Sequence, residues 1–255
     1  MRLQQALNRP WLAQASGLAL LVACVLALEW AGHAGWISAF FLPPPSEIAL
    51  AGWRLGDEEP LGAAFMTTLM LTLSATAASA ALGITAGWLM YRHGDFGRAY
   101  EAWVGALFSA PLILLYPLFL VLFGRNLFTV ALMGFLAGVI PVVLKTFEGL
   151  RGVPRVLINV ARSFNLGERG ILLKVLLPAA RPAVFTGLRL SFIYCTINIV
   201  GLEYLTNFGG LGFLVGRMYD RFDIPAMYAT VAIVLLVSVL GFWAAERIER
   251  LFTRR

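Results

Sequence analysis

Side chains that could do chemistry are few in this sequence, and none of them forms a catalytic or metal-binding pattern. The two histidines, His33 and His93, are far apart, and Cys24 and Cys195 each lie inside an apolar run. Neither a nucleophile-elbow motif nor a zinc-protease motif occurs. The glycine-rich stretch Gly209–Gly216 has no Lys-Ser or Lys-Thr after it, so it does not bind ATP as a P-loop does. We therefore predict no catalytic residue and no metal site.

One acidic residue needs an explanation, because Glu203 lies near the end of a long apolar run. A carboxyl group at the edge of a membrane is costly unless it is paired or faces water, which indicates a functional role. The alternative, which we favour over direct contact with a solute, is a structural role at a helix end. Arg217 or Arg221 could then be its partner.

The composition is that of a membrane protein. Hydrophobic residues make up 60% of the chain and charged residues 13%, which excludes an ordinary soluble domain. Crossing the hydrocarbon core takes about 20 apolar residues in a helix, and we predict an all-α protein with six transmembrane helices. The six runs are Leu12–Ala31, Ala64–Met90, Trp103–Phe123, Leu127–Leu144, Ala183–Leu202 and Met227–Ala244.

The distribution of positive charge predicts the orientation, because basic residues collect on the cytoplasmic side of membrane proteins. With both termini in the cytoplasm, all but four of the 20 Lys and Arg residues lie on that side. The four exceptions are Arg54, Arg125, Arg217 and Arg221. Topology therefore explains the net charge of +6, and we expect no nucleic-acid partner.

Small residues recur every four positions in the second apolar run, at Ala75, Ser79, Gly83 and Gly87. Such a stripe lets two helices approach closely within lipid. We expect it to pack inside one chain, with a seam between two copies as the alternative.

A polar, basic segment at 159–182 separates the fourth and fifth runs. Just before and within it, Val156, Val160 and Phe164 recur every four residues, which predicts a short amphipathic helix. We expect this stripe, with Leu157 and Ala161, to face the protein itself. The opposite face should carry Arg155, Asn159, Arg162 and Ser163.

This segment resembles the EAA loop of type I ABC importer permeases, in which Glu-Ala-Ala is followed at fixed spacing by Gly and then by Ile-x-Leu-Pro. Val160 and Ala161 fall on the two alanines, and Leu177 and Pro178 fall on the Leu-Pro ending. We also expect Pro178 to close the run that precedes it, because proline does not continue a helix unkinked.

Two departures from the EAA pattern affect what the resemblance implies. Asn159 replaces the usual Glu, so an ion pair made by that Glu is not expected here. Asn165 replaces the usual Gly. Because Asn enters the left-handed backbone region more readily than most residues, we expect Asn165 to have a positive φ and to preserve the turn.

In that family the EAA loop is a coupling helix that docks on the ATPase subunit. The resemblance implies ATPase subunits carrying ATP and Mg, an external binding protein, a permease homodimer and a multi-pass location in the lipid of the bacterial inner membrane. This chain itself would bind no cofactor. An ordinary amphipathic interfacial helix is the alternative. The implied docking residues are Asn159, Val160, Ala161, Arg162, Ser163, Phe164, Asn165, Leu177 and Pro178.

The third and fifth runs resemble those of nitrate, sulfonate and taurine importers. The third contains Pro111 and Pro117, which should bend it, as Pro141 should bend the fourth. The fifth ends in Glu-x-Leu followed by Gly-Leu-Gly. The resemblance makes five residues candidates for the pathway or its gating, although prolines are also simply tolerated in membrane helices. They are Pro111, Pro117, Glu203, Gly210 and Gly212.

The resemblance covers a core permease domain at 64–250, and leaves an N-terminal transmembrane helix with an external loop at 1–63. It implies a transport subunit, not an enzyme, that forms the pathway for a small solute. A nitrate-, sulfonate- or taurine-like oxyanion is the first expectation, and thiamine-precursor pyrimidines and other small organic molecules come next. A secondary carrier or a stand-alone polytopic membrane enzyme is the alternative function.

Overall fold

The protein is all-helical over residues 10–253, which the computed structural model describes. Four of the predicted cytoplasmic arginines, Arg2, Arg9, Arg254 and Arg255, lie outside the described residues. The helices are α1 (Pro10–His33), α2 (Pro45–Glu58), α3 (Leu61–Arg92), α4 (Gly94–Ser109), α5 (Tyr116–Phe123), α6 (Leu127–Arg151), α7 (Arg155–Ser163), α8 (Glu168–Thr206), α9 (Gly210–Asp220) and α10 (Ile224–Thr253).

Five of these helices, α1, α3, α6, α8 and α10, are long and apolar enough to cross a membrane. The pair α4 and α5 passes the same test only when the two are taken together, and they are bent by 77° at their junction. Six spans result if the bent pair counts as one. The predicted all-α membrane fold is therefore confirmed.

The third span is broken, although its sequence predicted one bent helix over Trp103–Phe123. Helix α4 ends at Ser109, and Pro111 precedes a 3₁₀ turn at Leu112–Leu115. Pro117 lies in the first turn of α5. The backbone N–H groups of a first turn make no hydrogen bond within the helix, so a proline there breaks none. One proline thus marks the break, and the other starts the next helix. Pro141, by contrast, lies inside the continuous α6.

The fifth span begins much earlier than its apolar run, and the expectation that Pro178 closes a helix is wrong. Helix α8 runs unbroken from Glu168 to Thr206. A π-helical stretch occupies Leu172–Leu176, directly before the proline. Pro178 has no N–H for the carbonyl of Lys174, and a local widening of the helix accommodates the missing bond.

The described chain divides into two compact units. One combines the chain up to Leu61 with Arg217–Ala232. Here the carboxylate of Glu59 accepts hydrogen bonds from Arg217 at 2.6 Å and from Arg221 at 2.7 Å. The arginines considered as partners for Glu203 are therefore paired with Glu59.

The other unit combines Gly62–Gly216 with Ile233–Arg255, and within it α6 packs against α3. The hydroxyl of Ser79 donates to the carbonyl of Phe135 at 3.2 Å. A Cβ added to Gly83 would lie 2.6 Å from the Cβ of Val142, which is too close for any real side chain. The small-residue stripe of α3 therefore packs inside the chain, as predicted.

The opposite side of α6 lies equally close to α8. A Cβ on Gly134 would lie 2.7 Å from Ile199, and a Cβ on Gly149 would lie 2.6 Å from Ala183. Between them, Gly138 leaves room for the thiol of Cys195, which donates to the carbonyl of Gly134 at 3.2 Å. Because these contacts are spread along both helices, α6 and α8 form one tightly packed pair.

The predicted orientation is tested by cysteine labelling of intact cells with a membrane-impermeant maleimide. In a Cys24→Ala background, Asp57→Cys should be labelled from outside and Glu168→Cys only after permeabilisation. Both positions are exposed, and the remaining Cys195 is fully buried. The reverse pattern would overturn the assignment of the 159–182 segment to the cytoplasm.

Candidate functional site

The short helix α7 is anchored to the chain by one of its edges. Ala161 is only 3% exposed and belongs to a buried cluster at the ends of α6 and α8. Ile158 packs against the same cluster. The cluster consists of Leu150, Val153, Ala161, Ile171, Leu176 and Ala180. Helix α7 is therefore fixed to the ends of two spans.

The stripe of α7 that was expected to face the protein itself faces outward, so that expectation is wrong. Val156, Val160 and Phe164 are 69%, 49% and 78% exposed. Leu157 is also exposed, whereas Ala161 is buried. The apolar surface of this helix is wider than the strip that the ends of α6 and α8 can cover, so the remainder stays uncovered. Exposed apolar patches of this kind mark interaction sites.

Asn165 has φ 53°, which confirms the predicted left-handed turn. The turn closes α7 with three backbone bonds. The N–H of Phe164 donates to Val160 at 3.2 Å, that of Asn165 to Arg162 at 2.8 Å, and that of Leu166 to Ala161 at 3.2 Å. The last bond spans five residues, as in a Schellman-type helix end. Asn165 thus performs the conformational role of the glycine that it replaces.

The other implied docking residues lie in two places, on α7 and in α8. Asn159, Arg162 and Ser163 are exposed on α7, beside the apolar stripe. Leu177 and Pro178 are half-buried in α8, where Leu177 packs on the cluster that holds Ala161. Among the implied docking residues, the exposed residues of α7, Phe164 at its C-terminal end and Asn165 are thus placed to touch a partner directly.

Glu203 is fully buried, and its carboxyl group ties three helices together. The hydroxyl of Thr68 in α3 lies 2.9 Å from both carboxyl oxygens. The backbone N–H of Gly212 in α9 donates to Oε2 at 3.0 Å, and the N–H of Leu211 donates to the Thr68 hydroxyl at 2.9 Å. A hydroxyl can donate and accept at once, so Thr68 accepts from Leu211 and donates to Glu203, which is nearer than its other acceptor, the Ala64 carbonyl at 3.3 Å.

Gly210 and Gly212 are required by this contact. Gly210 has φ +83°, and a Cβ there would overlap the Glu203 carboxyl group. A Cβ on Gly212 would lie 2.9 Å from the Cβ of Glu203 and would overlap the carbonyl of Val200. The Glu-x-Leu and Gly-Leu-Gly motifs are therefore two halves of one arrangement that fixes the start of α9 on the end of α8.

A pocket of about 170 Å³ lies at the break in the third span. Pro111 and Ile113 line it from the break, and Tyr194 and Asn198 line it from α8. The Asn198 side-chain amide donates to the carbonyl of Tyr194 at 3.0 Å, and its Oδ1 has no partner among the described residues. Of the candidate pathway residues, Pro111 thus borders a cavity, whereas Glu203, Gly210 and Gly212 form the separate contact described above.

Two polar residues in these sites were missed in the sequence. Thr68 could not have been predicted, because several threonines occur in its apolar run and no sequence pattern distinguishes the one that contacts Glu203. Asn198 could have been found, because an amide inside a membrane span is costly without a partner. Within the described residues, no group of three or more His, Cys, Asp or Glu could hold a metal ion.

The sequence matches known transport proteins over most of its length. The family model for the binding-protein-dependent transport system inner membrane component matches residues 79–254. The formylaminopyrimidine transport permease protein ThiX of Halalkalibacterium halodurans is 27% identical over 216 residues, which cover 83% of this chain and 84% of ThiX. The Escherichia coli permease protein SsuC, named for aliphatic sulfonates transport, is 24% identical over 258 residues, covering 96% and 94%.

Two solved structures have a similar fold. The methionine ABC transporter MetNI, in an inward-facing form, superposes with a TM-score of 0.67 at 21% identity, covering 76% of this chain and 96% of the matched one. An amino acid ABC transporter superposes with a TM-score of 0.63 at 17% identity, covering 80% and 97%. At these identities the likeness shows the fold.

The Asn165 turn is tested by thermal unfolding of the detergent-purified protein. Asn165→Val should lower the free energy of unfolding by about 1–3 kcal/mol, because a β-branched side chain resists a positive φ. Asn165→Gly should leave it nearly unchanged. Ser163→Val is the control, since this residue is helical and exposed. Equal unfolding midpoints for all three variants would contradict the account of the turn.

The Glu203 contact predicts that an alanine at Gly210 destabilises the protein, whereas an alanine at a helical glycine far from this contact does not. Gly210→Ala should destabilise the protein by about 1–3 kcal/mol from its backbone conformation alone, and the overlap with Glu203 adds to this. Gly56→Ala, inside α2 with nothing within 4 Å, should stabilise it by about 0.5–1 kcal/mol. Thermal unfolding of the two variants measures the difference, and similar midpoints would show that α9 does not depend on this contact.

Proposed function

This chain belongs to the family of binding-protein-dependent transport system inner membrane components, and we propose from that membership how its residues serve an ABC importer. It is a membrane-embedded transport subunit and not an enzyme, since the ATPase activity of such systems lies in a separate subunit. We propose that two copies of it form the pathway, that two ATPase subunits with ATP and Mg bind on the cytoplasmic side, and that an external binding protein delivers the solute.

The docking face for the ATPase is the exposed apolar stripe Val156, Val160 and Phe164 on α7. A single observation carries this assignment: these side chains are exposed on a helix whose opposite edge is buried in its own chain. Large apolar side chains in the centre of a contact, with polar residues around them, are typical of protein interfaces. Asn159, Arg162 and Ser163 would supply that polar rim.

Ala161, Asn165, Leu177 and Pro178 would support docking without forming its centre. Ala161 and Leu177 hold α7 on the ends of α6 and α8. Asn165 ends α7 so that Phe164 stays at its exposed tip. Pro178 follows the π-helical stretch that carries α8 from the loop into the span.

The mechanism follows from these attachments. ATP binding would close the ATPase pair, and α7 would move with the subunit on which it docks. Because α7 is seated on the ends of α6 and α8, its motion would be passed to the two most tightly packed spans as a rigid-body displacement. Alternation between inward- and outward-facing states is then a shift between two packings of the bundle.

The candidate pathway residues would act at two places, the break in the third span and the start of α9. The break at Pro111 opens a cavity within a span, and Pro117 starts the helix beyond it. Glu203, Gly210 and Gly212 would act as gating residues by fixing the start of α9. We propose residues 64–250 as the core permease domain, with 1–63 as an additional N-terminal helix and external loop.

The protein is a multi-pass membrane protein of an inner-membrane family. We propose the bacterial inner membrane with both termini in the cytoplasm, from the distribution of basic residues. Relatives are named for a formylaminopyrimidine, for aliphatic sulfonates and for riboflavin. The solute is therefore a small molecule, and these names leave both an oxyanion and a nitrogen heterocycle as candidates.

Docking is tested by co-purification of the permease with its ATPase subunit. Phe164→Asp should reduce the ATPase recovered by at least about tenfold, because burying a phenylalanine contributes about 1.5–3 kcal/mol and an unpaired charge costs more. Leu251→Asp is the control, since it places the same charge at an equally exposed apolar site, at the end of the last candidate span.

Leu251→Asp should leave the recovery unchanged. Equal recovery with wild type and Phe164→Asp, at equal amounts of permease in the membrane, would refute the docking face.

A further inference from the structure

We propose that a pocket between α3, α7 and α8 binds the headgroup of a membrane phospholipid that carries a primary ammonium, as phosphatidylethanolamine does. The pocket has a volume of about 340 Å³, which lies within the usual range for small-ligand sites. All three helices belong to one compact unit of one chain, so the site forms without a second copy. The inference goes beyond the proposed function, because its ligand is neither the transported solute nor a protein.

The polarity of this pocket changes along the direction of the spans. Arg92 is the last residue of α3 and Glu168 is the first of α8, so both charges lie at helix ends. Trp88 lies about one turn further into α3, and Leu172 and Leu176 lie further into α8. A headgroup at the charged end would therefore direct its acyl chains along the apolar residues toward the membrane.

The charged end of the pocket holds two cations and one anion. Arg92 forms an ion pair with Glu168 at 2.9 Å, and both side chains are at least half exposed. An ion pair this exposed contributes little, so a ligand can separate it at low cost. Arg162 of α7 is also exposed and has no carboxylate partner among the described residues. Guanidinium groups bind phosphate through paired hydrogen bonds, so the two arginines suit the phosphate of a lipid.

The carboxylate of Glu168 selects among phospholipid headgroups. An anionic headgroup without an ammonium would place a second negative charge beside Glu168. A headgroup with both phosphate and ammonium gives the arginines and the carboxylate each an opposite charge. A primary ammonium also has three N–H donors for the carboxylate, which a trimethylated ammonium lacks.

Two aromatic side chains place this pocket at the level of lipid headgroups. Trp88 and Tyr91 are half-buried at the end of α3, and both line the pocket. The Arg92 guanidinium lies 5.7 Å from the centre of the Trp88 ring. Trp and Tyr are enriched where the membrane meets water, so these residues favour a lipid over a soluble molecule with the same charges.

A lipid bound here would connect α3 to the short helix that we propose as the ATPase docking site. Ile158 and Arg162 line the pocket from α7, and Arg92 lines it from α3. Trp88 and Tyr91 already pack on the buried cluster that holds Ala161. The headgroup would add a polar contact across the same junction.

The test is native mass spectrometry of the permease–ATPase complex and of the full-length permease alone, each titrated with defined lipids. The probes are dioleoyl phosphatidylethanolamine, dioleoyl phosphatidylglycerol, which has no ammonium, and dioleoyl phosphatidylcholine, whose ammonium has no N–H. Each permease should bind one phosphatidylethanolamine at least about tenfold more tightly than either other lipid. Soluble phosphoethanolamine at equal concentration should not displace it.

Glu168→Gln is the variant that discriminates between headgroups. It removes the negative charge and keeps the side-chain size, so phosphatidylglycerol should then bind at least as tightly as phosphatidylethanolamine. Arg92→Gln should weaken binding of phosphatidylethanolamine at least about fivefold, because the phosphate loses a charge-assisted hydrogen bond. Arg92 is chosen because Arg162 also belongs to the proposed docking rim. Arg169→Gln is the matched control, since Arg169 is exposed nearby but does not line the pocket, and it should behave as wild type.

Four results would overturn the assignment. They are equal binding of the three lipids by wild type, an unchanged preference in Glu168→Gln, displacement of the lipid by soluble phosphoethanolamine, and loss of the lipid when the ATPase binds. The third result would indicate a soluble ligand, and the fourth would assign the pocket to the protein interface. Failure of the ATPase to associate counts against the proposed function, whereas lipid binding to the permease alone still tests this site.

Discussion

The close approach of α6 and α8 is the contact on which the rest of this structure depends. Gly134, Gly138 and Gly149 leave no room for a side chain between the two helices. Lipid provides no hydrophobic effect between spans, so close van der Waals packing of this kind is what holds them together. The small residues of α3 bring a third span against α6 in the same way.

This pair of spans has a different attachment at each end. At one end, the cluster around Leu150 and Ala180 holds α7, whose outer face is left apolar and exposed. At the other end, Glu203 of α8 joins Thr68 of α3 to the first amides of α9. Between the two ends, the broken third span leaves the pocket beside Asn198. A displacement of α7 would therefore reach the pocket and α9 through one packed unit.

The sequence predicted the elements better than their contacts. Hydropathy identified every span, and the replacement of Gly by Asn165 was enough to predict a positive φ, because few other residues tolerate that conformation. The periodicity of α7 was also correct, but its buried edge was not. Apolar residues occur both in a protein's own core and in its interfaces with partners. The sequence alone therefore does not show that Ala161 is buried in the chain and that Val160 is exposed. Similarly, the motifs at Glu203 and Gly210 indicated a shared role, but only the fold brings Thr68 to them.

The central claim is that α7 presents its exposed apolar edge to the ATPase while its other edge stays anchored in the permease. Photo-crosslinking of the assembled complex tests it most directly, with Phe164→p-benzoylphenylalanine compared with Trp53→p-benzoylphenylalanine, since both side chains are highly exposed and lie on opposite sides of the predicted topology. The account predicts adducts between position 164 and the ATPase subunit and none from position 53. Adducts to the ATPase from position 53, or none from position 164, would contradict it.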